Sequence, residues 1–139
     1  MSEEQANQTA LPALKLHFPL GLLGFEPLKR FALRRTAPDS PFSWLQSEDD
    51  AAVTFLVVSP FDVLATYAPD VGDDDTSFLK LTEPGEAQLY TIVTLRQNGE
   101  ASVNFKGPIV VNRTTSVAKQ VVPLNAGDFS VRHPLPTAA

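Results

Sequence analysis

Apolar positions are densest between Pro41 and Pro60, PFSWLQSEDDAAVTFLVVSP, where two runs rich in aromatic and β-branched residues flank the acidic triplet Glu48, Asp49 and Asp50. Two such runs around a polar break predict a β-hairpin. Its second strand is apolar from Val53 to Val58 except at Thr54. Four apolar residues in succession, Phe55, Leu56, Val57 and Val58, require cover on both faces, so this strand is expected in the middle of a sheet and not at its edge.

Upstream, the pattern alternates from Ala13, with Leu14, Leu16 and Phe18 on one face and Lys15 and His17 on the other. That period of two predicts a half-exposed strand with His17 towards solvent. Gly21 and Gly24 bracket a tight turn, and Glu26-Pro27 is expected to open one helical turn carrying Phe25 and Leu28 inward before Phe31 and Leu33 resume a strand. The spacing of these glycines is not a phosphate loop, because the dinucleotide fingerprint is incomplete and no Lys-Ser/Thr pair follows. After the hairpin, Phe61 to Asp75 is turn-rich. Asp73-Asp74-Asp75-Thr76 reads as the N-cap of a short helix, Ser77 to Leu81, stopped by Pro84-Gly85. A calcium loop there would need a glycine and a distal glutamate that the stretch lacks.

The stretch LYTIVTLRQNGEASVNFK, residues 89–106, predicts a second hairpin. A two-residue turn at Asn98-Gly99 would set Thr94 against Val103, apolar against polar. A three-residue loop, Gln97-Asn98-Gly99 with Gly99 left-handed, pairs Val93 with Val103, Thr94 with Ser102 and Leu95 with Ala101, and sets Arg96 opposite Glu100. The bulged loop is therefore expected. Gly107-Pro108 then bends the chain before a strand at Ile109 to Val111. A buried strand from Val117 to Leu124, broken by Pro123, is expected near an edge, and Asp128 to Arg132 as a short final piece.

Twelve prolines, nearly twice the usual share of about 5%, are scattered along the chain and leave little room for long helices. Nine or so short strands with one short helix predict a mainly all-β fold, a small antiparallel closed or half-closed β-barrel. It is expected over residues 13–135, between a disordered leader at 1–12 and a frayed tail at 136–139. The N-terminal residues lack a signal-like apolar core, no run approaches membrane-span length, and cysteine is absent. Together these predict a soluble, cytoplasmic protein, with no disulfides and no membrane contact expected.

Net charge is −5, unevenly spread: residues 39–86 carry eleven acids against the single base Lys80. Such a middle third opposes binding to phosphate backbones. It serves either as a solvated surface or as a field that steers a basic protein partner. Catalytic chemistry finds little support. There are two histidines at opposite ends of the chain, no cysteine, no Gly-x-Ser-x-Gly elbow and no metal-ligand spacing. The clustered carboxylates lack apolar pocket residues to raise a pKa. An enzyme, a cofactor and a metal are thus not expected.

GLLGFE (21–26), PFSWLQSEDD (41–50), FLVVSP (55–60), LYTIVTL (89–95), VNFKGPIVVN (103–112), KQVV (119–122) and RHPL (132–135) follow one another as in the flagellar assembly factor FliW family, which the chain resembles over roughly 13–135. It departs at Phe129, where tyrosine is expected, and at Gly107, where alanine is more usual. The resemblance implies a non-enzymatic cytoplasmic regulator, monomeric when free, that binds flagellin and alternatively the CsrA-type translational regulator. Antagonising that regulator relieves repression of flagellin translation without direct nucleic acid contact. The acidic turn Glu48, Asp49 and Asp50 is expected to meet the basic partner. Asn104, Phe105, Lys106, Gly107, Pro108 and Asn112 form a second expected surface, although the register turns Phe105 inward, and Asn104 and Asn112 are equally suited to bonding turn backbone. Two alternatives stand beside this: a flagellin-specific chaperone with no translational role, and a small-ligand barrel with an interior pocket of several hundred Å³.

Overall fold

Val57 and Val58 are consecutive, point to opposite faces of one sheet, and are 0% and 2% exposed. Their strand is packed on both sides, as its unbroken apolar run requires. In the computed structural model, which describes residues 12–135, it is the fourth of nine strands. These are β1 (Ala13–His17), β2 (Arg30–Arg35), β3 (Phe42–Ser47), β4 (Thr54–Val58), β5 (Ala87–Leu95), β6 (Ala101–Val103), β7 (Ile109–Asn112), β8 (Ala118–Gln120) and β9 (His133–Leu135). The expected tail at 136–139, and the expected leader save for Pro12, lie outside the described residues.

Strands β1 to β5 pair in chain order, all antiparallel. At β5 the sheet forks. Ala87–Tyr90 pair with β7, whereas Val93–Leu95 pair with β6. One branch continues to β8, and the other ends at β9. The β8 branch curls back until Val117 meets His17 in a single parallel bridge, with the His17 N–H donating to the Ser116 carbonyl at 3.0 Å. One bridge does not make a ladder, so the result is a half-closed barrel.

The interior of the curl is filled by side chains, among them Leu16, Phe31, Leu33, Leu45, Val57 and Ile109. Phe18 meets Phe31 edge-on with ring centroids 5.2 Å apart, and Phe25 meets Phe55 likewise at 5.2 Å. A second cluster sits on the outer face of the sheet, where Val58, Val93 and Val103 lie under Tyr67 and Phe105. Each buried Val, Leu or Phe side chain contributes roughly 1.5–3 kcal/mol of transfer free energy. β4 feeds both clusters, which explains its position.

Local chemistry follows the expected register at the β5–β6 hairpin. Val93 faces Val103, Thr94 faces Ser102 and Leu95 faces Ala101. Gly99 has φ +89° and donates to Arg96, whose own N–H bonds the Glu100 carbonyl at 2.8 Å. Arg96 and Glu100 meet through backbone alone. Among the described residues the ion pairs are Lys15 with Glu48, Arg30 with Asp49 and Lys119 with Asp75. His17 is exposed, as a solvent-facing strand residue should be.

Four expectations are corrected. Where a single helix is expected, at Ser77 to Leu81, the described residues form two, α1 (Pro60–Val63) and α2 (Asp73–Phe78). Gly72, extended at φ −69° and ψ 161°, takes the N-cap, so the three aspartates enter the first turn, where they face the helix's positive end. Glu26-Pro27 opens turns and no helix, yet those turns still lay Phe25 and Leu28 against the barrel core. The final strand is β9 and not Asp128 to Arg132, because Ala126–Asp128 form a 3-10 turn that delays pairing until His133 reaches Val103. The strand expected from Val117 to Leu124 is three residues long, since Pro123 turns the chain back towards Asp70.

Candidate functional site

The acidic turn between β3 and β4 is held by its own residues. Ser47 Oγ accepts the N–H of Asp49 at 3.1 Å and of Asp50 at 2.9 Å. Asp49 Oδ2 accepts the backbone N–H of Lys29 and Arg30 at 2.9 and 3.0 Å, while its Oδ1 takes the Arg30 guanidinium at 2.7 and 3.1 Å. The guanidinium first, and then the two backbone donors, hold the Asp49 carboxyl down at about 2. Glu48 is paired with Lys15, and Asp50 Oδ1 accepts from Ala52 N–H at 3.1 Å. Glu48 and Asp49 tie the β3–β4 hairpin to β1 and β2, while Asp50 closes the turn itself. Their charge is largely spent at home.

The second expected group is also built into the fold. Phe105 is 1% exposed, stacked on Tyr67 at 4.5 Å with His133 on it at 4.7 Å. Asn112, 2% exposed, donates to the Leu79 carbonyl at 2.8 Å and accepts from Thr114 and Thr115 N–H at 2.8 and 3.2 Å. Asn104 Oδ1 accepts from Lys106 N–H at 2.9 Å, closing a turn. Gly107 and Pro108 are buried, and a Cβ on Gly107 would stand 3.0 Å from Gln120 Nε2. That amide donates to the Gly107 carbonyl at 3.1 Å, while Gln120 Oε1 accepts from Leu23 N–H. Only Lys106 and Asn104 keep part of their side chains in solvent. Separate contacts hold this bend and the acidic turn, which do not form one site.

What the periodicity did not show is a groove of about 490 Å³ between α1, α2 and β5. Phe61, Tyr67, Val71, Leu81, Leu89 and Val110 supply its apolar lining. Glu83 lines the groove and is exposed, as are Asp62 and Asp70, which adjoin lining residues in sequence. Neither lysine nor arginine lines it. The one available signal was Phe61, Tyr67 and Val71 standing as apolar residues inside the most acidic loop.

The barrel interior holds packed side chains where a small-ligand barrel would need a pocket with convergent polar groups. Among the described residues no three His, Cys, Asp or Glu side chains gather as a metal site. No helix among them is long and apolar enough to cross a membrane.

A family profile described as FliW protein matches residues 2–135. The "Flagellar assembly factor FliW" of Desulfitobacterium hafniense strain Y51 is 36% identical over 125 residues, covering 89% of this chain and 82% of that one. The protein of the same description from Syntrophus aciditrophicus strain SB is 38% identical over 114 residues, covering 81% and 72%. A solved "Crystal structure of the flagellar assembly factor FliW" superposes with a TM-score of 0.79 at 31% identity, covering 88% of this chain and 86% of that one.

Proposed function

Since the chain belongs to the FliW family, we propose that it serves flagellar assembly by holding other proteins: flagellin and, when flagellin is scarce, a CsrA-type translational regulator. Holding the regulator antagonises it and frees flagellin translation. Holding flagellin withdraws the antagonist, so flagellin level feeds back on its own synthesis. The chain does this in the cytoplasm, without touching nucleic acid and without catalysis.

The observation that carries this reading is the apolar groove with Glu83 on its lining. A regulator that grips RNA must present basic surface, and an apolar groove lined by Glu83 and by no lysine or arginine complements basic surface flanked by apolar side chains. An acidic body docked beside an RNA-binding surface also repels phosphate without contacting it. The acidic turn at Glu48, Asp49 and Asp50 is the poorer candidate, because its carboxylates are engaged by Lys15, Arg30 and backbone N–H groups.

Calorimetric titration with flagellin and with the CsrA-type regulator of the same organism, separately and in competition at two salt concentrations, tests it. Mutually exclusive binding of both, with the regulator weakened by salt, is expected. Binding of flagellin alone would move the assignment to a flagellin chaperone. Binding of neither would overturn it.

A further inference from the structure

The tip of the β5–β6 hairpin carries a pair of residues that the proposed function leaves unused, Asn98 followed by Gly99. Asn98 Oδ1 accepts the N–H of Glu100, two residues on, at 3.0 Å. That bond folds the carboxamide back over the peptide link to Gly99, so Cγ stands towards the Gly99 nitrogen. Were that nitrogen to attack Cγ, negative charge would gather on Oδ1, where the Glu100 N–H already points. This is the arrangement of a small oxyanion hole. Gly99, left-handed at φ +89°, has no side chain to crowd the attack.

The other described asparagines each lack a requirement. Asn104 and Asn112 make the same bond, to Lys106 and Thr114 N–H at 2.9 and 2.8 Å. The residue after Asn104, however, is Phe105, 1% exposed, with its N–H on the Ser130 carbonyl. Asn112 is itself 2% exposed, and the Glu86 carbonyl holds the N–H of Arg113. Asn125 directs its carboxamide to Asp70 N–H and the Ala68 carbonyl instead. At the hairpin tip the contact that opposes attack is the 3.0 Å bond from Gly99 N–H to the Arg96 carbonyl. It closes a loop in which Gln97, Asn98 and Gly99 are all exposed, so it opens without disturbing a buried side chain.

We propose that Asn98 is a site of self-modification by deamidation. The Gly99 nitrogen bonds to Cγ and the Cγ–Nδ2 bond breaks. Nδ2 departs as ammonia, carrying the proton that Gly99 gives up, relayed by water. One further water opens the resulting succinimide at either carbonyl, leaving an aspartate or an isoaspartate at position 98. The new carboxylate enters a recess of about 730 Å³ lined also by Arg96 and Arg132, neither of which is in an ion pair among the described residues. The isoaspartyl product also adds a methylene to the main chain, which unfits the three-residue loop for the register that sets Val93 opposite Val103. The proposal is independent of which proteins the chain binds.

The test incubates the full chain, folded and in urea, and follows each asparagine by peptide mass mapping, with an isoaspartyl methyltransferase labelling the isoaspartyl product. Asn98 of the folded chain is expected to convert at no less than about a tenth of its rate in urea. Folded Asn104, Asn112 and Asn125 should lag Asn98 by about a hundredfold. Gly99→Ala should slow conversion by about tenfold or more. Asn98→Gln, whose extra methylene misplaces the carboxamide, should abolish it while circular dichroism shows the fold retained. Folded-state conversion below that tenth overturns the proposal, because the loop then withholds the Gly99 nitrogen. Conversion of the other three asparagines as fast as Asn98 overturns it as well, and so does an unaltered rate in Gly99→Ala.

Discussion

Tyr67 lies on Phe105 with ring centroids 4.5 Å apart, and its hydroxyl donates a 2.7 Å hydrogen bond to the carbonyl of that same residue. One side chain thus both covers and anchors the bend at Gly107-Pro108 from a loop 38 positions upstream. Replacing Tyr67 by Phe keeps the stack and deletes the bond to a buried carbonyl. It should cost about 1–3 kcal/mol in urea unfolding, because the carbonyl is left without a partner. Burial raises the hydroxyl to about 12, so its neutral form is favoured in the folded state. That stabilisation is whole below pH 10 and lost as pH climbs towards about 12. The variant should lose less stability across that window, keeping only the part due to Tyr90, which burial also shifts upward.

Trp44 and Leu45 are neighbours in β3 with opposite surroundings, 45% and 1% exposed. Leu45→Ala empties part of the barrel interior and should cost about 2–5 kcal/mol, the range for large-to-small core changes. Trp44→Ala should cost much less. Denaturant midpoints with unchanged m-values would verify the contrast, and a Leu45→Ala cost as small as that of Trp44→Ala would contradict the placement of the core inside the curl.

Asp49 makes the folded state sensitive to acid. Its carboxyl, held near 2 by the Arg30 guanidinium and by the N–H groups of Lys29 and Arg30, contributes stability above its ordinary value of 3.8, and that contribution fades as pH falls towards about 2. Thermal unfolding of the unaltered chain should shift downward through this window. Asp49→Asn should start lower and show a smaller acid shift, with the remainder due in part to Glu26 and Glu86, whose carboxyls are also held down by hydrogen bonds.

Gly21 and Gly24 both have positive φ, +69° and +87°, but different surroundings. A Cβ on Gly21 would sit 2.5 Å from the backbone of Glu26, whereas one on Gly24 would meet nothing within 4 Å. Gly24→Ala should therefore cost only the strain of a left-handed residue, about 1–2 kcal/mol. Gly21→Ala should cost clearly more, because two backbone segments must also separate. Unfolding of the two variants side by side measures the difference.

Asp62 and Asp70 are exposed, adjoin the groove residues Phe61, Pro69 and Val71 in sequence, and are free of ion pairs among the described residues. Changing both to Lys should leave stability within about 0.5 kcal/mol, as is usual for surface substitutions. It should weaken the CsrA-type regulator several-fold and flatten the salt dependence of its binding. Unchanged affinity at both salt concentrations would remove the groove from consideration.

Much of this architecture could be read from side-chain pattern, and the failures have physical causes. The bulged β5–β6 loop was legible because only a three-residue connection keeps Val93 and Val103 on one face, and the central place of β4 because Val57 and Val58 cannot both be buried elsewhere. The start of α2 was not legible. Gly72 caps it through backbone conformation alone, with no side chain to announce it. The fork in β5 has no sequence mark either, since Ala87–Leu95 reads as one run whichever strand lies alongside. Among the expected site residues, the acidic turn looked available because sequence shows carboxylates but not the Lys15 and Arg30 that occupy them. The groove was hidden because Phe61, Tyr67 and Val71 follow no helical or strand period.

The fork also dictates an order of events during synthesis. β5 can pair with β6 through its short loop once Val103 has been made, but its other half must wait for β7, and the curl has no far wall until Gln120. Contacts such as the bridge between His17 and Val117 span most of the chain and form late in any topology of this kind. While residues 104–120 are being added, the inner faces of β1 to β4 have nothing opposite them. That interval is when a nascent chain of this design is most prone to stick to its neighbours.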